Sequence, residues 1–229
     1  MITTIATGIT SLIFLFTGLR VWSLYKEDKN SFAFLLAGFL LFFFLQQFTF
    51  FLATGLLTNN EEVNSLLWIV SHLFTFIGIS IFIRFPFRIK YPRFEDQIFA
   101  ISVAYSIFGS AYLIYNSSSI SPIALGDNII FFEVPLAIAI IIGAFTTLAL
   151  FFISFVFASE AGKIEDDPES KTKLVLLSLG TVLFLIGSSV HNFVYSQAML
   201  IITNMTMVLG ALVLLAGIET KSIFRLFKR

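Results

Sequence analysis

The chain carries fourteen lysine and arginine residues, and once seven apolar segments are marked out, all of them fall on one side of a membrane. Arg20, Lys26 and Lys29 follow the first segment, whereas the next connection, residues 57–64, has no cation. Arg84, Arg88, Lys90 and Arg93 come next, then a cation-free stretch over 115–128. Lys163, Lys171 and Lys173 precede a bare turn at 195–198, and Lys221, Arg225, Lys228 and Arg229 follow the last segment. Short loops rich in Lys and Arg stay cytoplasmic. The alternation therefore predicts an outside N-terminus, seven spans and an inside C-terminus.

A helix needs about 20 mostly apolar residues to cross roughly 30 Å of hydrocarbon. Segments of that kind are predicted at approximately 4–25, 31–57, 64–85, 97–115, 129–158, 173–194 and 198–218. The second and fifth are longer than the bilayer needs and are expected to tilt or protrude. The ten-residue alternation of a membrane barrel is absent, which leaves helices as the spanning element. The expected fold is an all-α integral membrane bundle over 1–218, followed by a short basic cytoplasmic tail, 219–229. A multi-pass protein of a prokaryotic cell membrane is the expected localisation. The first segment has no basic residues before it and reads as a retained helix, not a signal peptide. Trp22, Tyr25 and Tyr91 are expected in the inner interfacial belt, and Trp68, Tyr112, Tyr115 and Tyr195 in the outer one.

Two stretches align without a gap: Ile69-Val-Ser-His-Leu-Phe-Thr-Phe-Ile-Gly78 and Ile201-Ile-Thr-Asn-Met-Thr-Met-Val-Leu-Gly210. The match pairs Ser71 with Thr203, His72 with Asn204 and Gly78 with Gly210. Segments two and six align through Gly38 with Gly180 and Phe42 with Phe184. A three-one-three parallel repeat accounts for this, with segment four as connector; shared apolar bias is the alternative. Small residues at three-four spacing mark packing faces: Gly8, Ser11, Leu15 and Gly18 on the first helix, Ser102, Ser106, Gly109 and Leu113 on the fourth, and Thr181, Phe184, Ser188, His191 and Tyr195 on the sixth.

Strongly polar side chains are scarce within the spans and lie in the half nearer the outside. They are Gln46 and Gln47 in segment two, Ser71 and His72 in three, Glu133 in five, Ser188, His191 and Asn192 in six, and Asn204 in seven. A charge at mid-membrane costs roughly 2.5–3.5 kcal/mol, so such groups face the bundle interior. Together they predict a polar ligand-binding pocket, capped by the loop from Ser117 to Asp127. Gln46 and Gln47 are adjacent, so only one of them is expected to point inward. Each member also has a structural account: a neutral His72 bonded to a neighbouring helix, Glu133 at a helix start favoured by the dipole, His191 and Asn192 wetted at the interface. The cofactor is undetermined. Two histidines allow one bis-histidine haem through His72 and His191 and no more. A divalent ion on His72, Glu133 and His191 lacks any HxxxH or HExxH pairing, and no metal site is expected.

The runs Gly38-Phe-Leu-Leu-Phe-Phe-Phe-Leu, Leu66-Leu-Trp-Ile-Val-Ser-His-Leu-Phe-Thr-Phe-Ile-Gly78 and Val208-Leu-Gly-Ala-Leu-Val-Leu-Leu-Ala-Gly-Ile218 resemble the seven-helix input regions of membrane signalling kinases. The overall plan is similar to that of the rhodopsin-like proteins. The resemblance implies a membrane sensor or receptor-like module that binds a small ligand. Only eleven residues follow Ile218, so signalling is expected to need a separate partner, met through residues 160–172 and the C-terminal tail. Ala198–Ile218 contains no lysine, which excludes a retinal Schiff base of the microbial opsin kind. An accessory subunit of a larger membrane complex is one alternative. A small-solute transporter of the three-one-three type is another, disfavoured by an apolar inner half and by Pro135 as the only proline expected within a span. No enzyme activity is expected, since no nucleophile–base pair, phosphate loop or carboxylate pair is visible, and no nucleic-acid partner. The lipid bilayer is the one certain partner.

Overall fold

A computed structural model describes residues 2–55, 60–125, 129–190 and 196–218. The chain is an integral membrane, all-α bundle, with seven helical segments long and apolar enough to cross a bilayer. The helices are α1 (Ile2–Asp28), α2 (Ser31–Gly55), α3 (Glu61–Phe82), α4 (Arg84–Lys90), α5 (Glu95–Tyr115), α6 (Leu136–Ala161), α7 (Pro168–Val190) and α8 (Gln197–Ile218). The third span is α3 and α4 together, broken at Ile83. Pro86 explains the break: it has no N–H for the Phe82 carbonyl one turn back, and its ring crowds that carbonyl. Pro86 thus lies inside a span, while Pro135 sits just outside one as the N-cap of α6, the reverse of the sequence expectation.

The helices follow one another round the bundle in chain order, and α1 closes the ring against α8. The α5 helix lies outermost, docked mainly on α3 through Ser102, Ser106, Gly109 and Leu113, its four buried residues. Ser102 Oγ donates to Ser80 Oγ at 2.9 Å, and the hydroxyls of Ser80 and Ser106 bond at 2.7 Å. Hydrogen bonds and close backbone contact hold helices together where lipid removes the hydrophobic drive.

The α7–α8 pair shows this most strongly. A Cβ on Gly210 would sit 2.4 Å from the backbone nitrogen of Phe184, and one on Gly187 would sit 2.6 Å from that of Met207. The aligned stretches make equivalent contacts. Gly78 of α3 faces Phe42 of α2, and Gly210 of α8 faces Phe184 of α7. Residues aligned in the sequence thus occupy corresponding places in the α2–α3 and α7–α8 pairs.

The cations of the described residues gather at one end. Arg88 Nη1 on α4 donates to Ser31 Oγ at the start of α2 (2.8 Å), and Lys90 Nζ reaches Ser159 Oγ at 2.6 Å and Glu160 at 2.9 Å at the end of α6. Glu95 accepts from both Arg84 (3.0 Å) and Arg88 (2.6 Å), which fastens α4 to α5. Between α6 and α7 the helices shorten the expected linker to residues 162–167. Asp167 then opens α7, taking the backbone N–H of Ser170 at 3.0 Å and its hydroxyl at 2.6 Å, with Pro168 in the first turn as helix starts favour.

The opposite end departs from expectation. Residues 129–133, assigned to the fifth helix, form a strand β2 (Ile129–Glu133) paired antiparallel with β1 (Ser121–Leu125), from Ser121 opposite Glu133 to Leu125 opposite Ile129. Pro135, with φ −53° and ψ 141°, keeps the chain extended there and delays α6 to Leu136. Alternation along β2 sends neighbouring phenylalanines to opposite faces. Phe131 packs with Ile2, Leu200 and Ile201 of α1 and α8, while Phe132 packs with Phe50 and Trp68 of α2 and α3. The hairpin is thereby wedged across the cation-free end of the bundle.

Candidate functional site

Below the hairpin, α2, α3, α6, α7 and α8 enclose two adjoining cavities of about 40 Å³ each. The first is lined by Gln46, His72, Thr75, Gly143, Thr146 and Ser188, with Phe43, Phe184 and Ile142. Gln46, Gln47, Trp68, His72, Gly187, Ser188 and Asn204 line the second, with Phe50 and Met207. Gln46, His72 and Ser188 belong to both. Five residues singled out in the sequence therefore meet here, one or more from each of four helices.

His72 is buried, and its Nδ1 lies 2.9 Å from the carbonyl oxygen of Trp68, one turn earlier on α3. That carbonyl can only accept, so Nδ1 carries the proton and Nε2 keeps its lone pair. Ser71 donates to the same carbonyl at 2.7 Å and lies 3.2 Å from Nδ1, which makes it a support for His72 and not a lining residue. The indole of Trp68 packs against the imidazole, tilted by 36° with ring centres 3.9 Å apart, and Phe132 of the hairpin lies 6.0 Å from Trp68. Trp68 is 2% exposed and so belongs to this column, not to the outer interfacial belt.

Gln46 and Gln47 both line the second cavity, against the expectation that only one would turn inward. Gln47 Nε2 donates to Gln46 Oε1 at 2.8 Å, a bond that aims two long side chains from adjacent positions into one space. Ser188 Oγ donates to Leu185 O at 3.3 Å and keeps its lone pairs for the cavity.

Four buried polar atoms in this region have no partner among the described residues: Gln47 Oε1, Thr146 Oγ1, and both Oδ1 and Nδ2 of Asn204. Each of these residues is at least 95% buried. Buried polar groups are as a rule hydrogen-bonded, and leaving one unpaired costs roughly 1–3 kcal/mol. Polar groups in such a space are satisfied by water or a ligand.

Glu133 is not part of the arrangement. It is exposed at the end of β2, not four residues into a helix, because the strand holds it above the bundle. His191 and Asn192 lie outside the described residues, as do Tyr195 and the tail from residue 219. Among the described residues no three metal-ligating side chains converge. Cavities of about 40 Å³ are also an order of magnitude below the roughly 300–1,000 Å³ of sites for organic ligands, so haem finds no room beside His72. Trp68, Thr75, Thr146 and Met207 were not among the pocket residues expected from the sequence. Trp68 sits one turn from His72, a spacing that brings helix side chains together; Thr146 and Ser154 are the polar residues on the buried face of α6.

Towards the cation-bearing end the pocket has an aromatic floor. Phe14, Phe43 and Phe184 form a triangle with ring centres 5.1–5.8 Å apart. Phe39 and Phe82 continue it, stacked at 4.6 Å. No family model, curated protein or solved structure matches the chain.

Proposed function

We propose that this chain is a membrane sensor module: a small ligand occupies the pocket around His72, and occupancy is passed along α3–α4 to a partner at the cation-bearing face. The observation that carries this reading is the group of unpartnered, buried polar atoms on Gln47, Thr146 and Asn204, closed off by phenylalanines on the inner side. Such a site suits binding better than passage, and it favours a sensor over a solute carrier. A single span, α3 and α4 together, supports the link to the inner face. The α3 segment brings His72 to the pocket, and its continuation α4 holds Arg84, Arg88 and Lys90 against α5, α2 and α6.

The chain has no cysteine, so a single Arg93→Cys label with an environment-sensitive dye reports on the inner end alone. In nanodiscs, Thr146→Leu and Asn204→Leu should shift the dye emission, whereas the lipid-facing control Leu12→Ala should not. Identical spectra for all three would refute the sensor reading. Solute flux through liposomes containing the protein would favour the transporter instead.

A further inference from the structure

The walls of the pocket are unequal. Towards the hairpin stand Trp68, Phe132 and Phe50, none more than 7% exposed. Towards the inner face stand Phe14, Phe43 and Phe184, none more than 2% exposed. Sideways the closure is thinner. Of the seams between neighbouring helices round the ring, that between α3 and α6 is the most sparsely packed. The first cavity lies behind it, lined by His72 and Thr75 on the α3 side and by Gly143 and Thr146 on the α6 side.

Two rings fill this seam. Phe76 follows Thr75 on α3 and Phe145 precedes Thr146 on α6, so each stands beside a threonine of the lining. They meet edge to face with centres 5.6 Å apart. Phe76 is fully buried, whereas Phe145 is only partly so, at the flank of a span where its neighbour is lipid. The α5 helix lies across both rings. A Cβ on Gly109 would fall 2.9 Å from Phe76 Cε2 and 3.6 Å from Ile141 Cγ2, so α5 touches α3 and α6 at one point. One turn earlier Tyr105 stacks on Phe145, centres 4.8 Å apart and planes 10° from parallel. Its hydroxyl donates to the backbone carbonyl of Ile141 at 2.8 Å. Since α5 rests mainly on α3, releasing that hydroxyl frees it from α6 and leaves Phe145 room to swing.

We propose that the pocket is entered sideways from the bilayer, through the seam between α3 and α6, with Phe145 as the door and Tyr105 as its latch; the ligand is a small neutral molecule that dissolves in lipid. This rests on the reading of the pocket as a ligand site and adds the route and the class of molecule that can take it. The lining agrees with the route. Neither cavity is lined by Asp, Glu, Lys or Arg, and a charged molecule meets a steep barrier in hydrocarbon.

The chain has no cysteine, so Thr146→Cys places a single thiol in the cavity. In lipid vesicles it should react with methyl methanethiosulfonate, which is neutral and enters lipid. The charged trimethylammonium-ethyl analogue, confined to water, should be slower by about tenfold or more, each rate being divided by that with a free thiol. Tyr105→Phe keeps the ring and removes the hydroxyl. Added to Thr146→Cys, it should raise the neutral reagent's rate about threefold, the effect of losing one interhelical hydrogen bond in lipid. Phe145→Ala should raise the rate further, and Phe132→Ala, which thins the hairpin wall instead, should leave it unchanged. Ser188→Cys, across the same cavity on α7, takes the place of Thr146→Cys should that variant fail to fold. A rate that responds to Phe145→Ala but not to Tyr105→Phe would overturn the latch. Indifference to both, acceleration by Phe132→Ala, faster modification by the charged reagent, or no modification at all would overturn the lateral entrance. Rates in the expected order, beside an Arg93→Cys dye unmoved by Thr146→Leu and Asn204→Leu, would uphold the entrance and sink the sensor.

Discussion

Gly210→Ala is the sharpest test of how this bundle is held together. The added Cβ would lie 2.4 Å from Phe184 N, 2.8 Å from Phe184 Cα and 3.0 Å from Gly180 O. All three obstacles are backbone, so no rotamer change relieves them. Ordinary contact needs at least 3.4 Å, and α7 and α8 must separate by about 1 Å to give it. The separation loosens the whole crossing, because Gly180 lies as close to Leu214 and Gly187 as close to Met207. Overpacking costs typically about 1–3 kcal/mol, and rigid obstacles on both sides place this case near 3 kcal/mol. Gly38→Ala is the matched control. Its nearest obstacle is Ile81 Cγ2 at 3.6 Å, an ordinary contact, so the gain in helix propensity of about 1 kcal/mol is free to appear. Equilibrium unfolding in mixed detergent and SDS micelles should rank Gly38→Ala at or above wild type and Gly210→Ala well below it. A Gly210→Ala protein as stable as wild type would refute the close-packed crossing, and with it the shape of the second cavity, which Gly187 and Met207 line.

Other consequences are as direct. The hydroxyl and then the backbone N–H of Ser170 hold Asp167 below the ordinary carboxylate range. Its folded value is depressed, so its contribution is complete above the ordinary value of 3.8 and is lost as pH falls through the lower folded one; in an acid titration followed by helical circular dichroism, Asp167→Asn, which keeps an acceptor for Ser170, should flatten that step. Glu95→Gln strips Arg84 and Arg88 of their shared carboxylate and, at roughly 0.2–1 kcal/mol for each part-exposed pair, should cost about 1 kcal/mol in the same unfolding assay while leaving Trp68 fluorescence unchanged. Membrane-impermeant thiol reagents applied to oriented vesicles should reach Asn60→Cys and Lys90→Cys from opposite sides; labelling from a common side would overturn the topology.

The spans were legible because hydropathy is additive along the chain: twenty apolar residues in a row must find lipid, wherever else the chain goes. The gathering of the described cations at one end of the bundle was legible for the same kind of reason, since each lysine or arginine carries its preference with it. The packing face of α5 could also be read, because Ser102, Ser106, Gly109 and Leu113 recur at helical spacing and small size matters only at a contact. The hairpin was hidden. Residues 129–132 lead towards α6 as an apolar run, and a short apolar run does not distinguish strand from helix; only Glu133 and Pro135 marked the join. That one misplacement took Glu133 into the pocket and left Phe132 out of the column above His72.

By itself the sequence determined the number of apolar spans and the polar residues at hand, since these depend on what each residue prefers as solvent. Tertiary structure decided which of those residues meet. The partner of Gln47 is fixed by Gln46, the role of Trp68 by a hairpin more than fifty residues further on, and the seat of Asn204 by glycines that let α8 approach α7. A site is made of distances between segments, and distances come from packing, which no single segment contains.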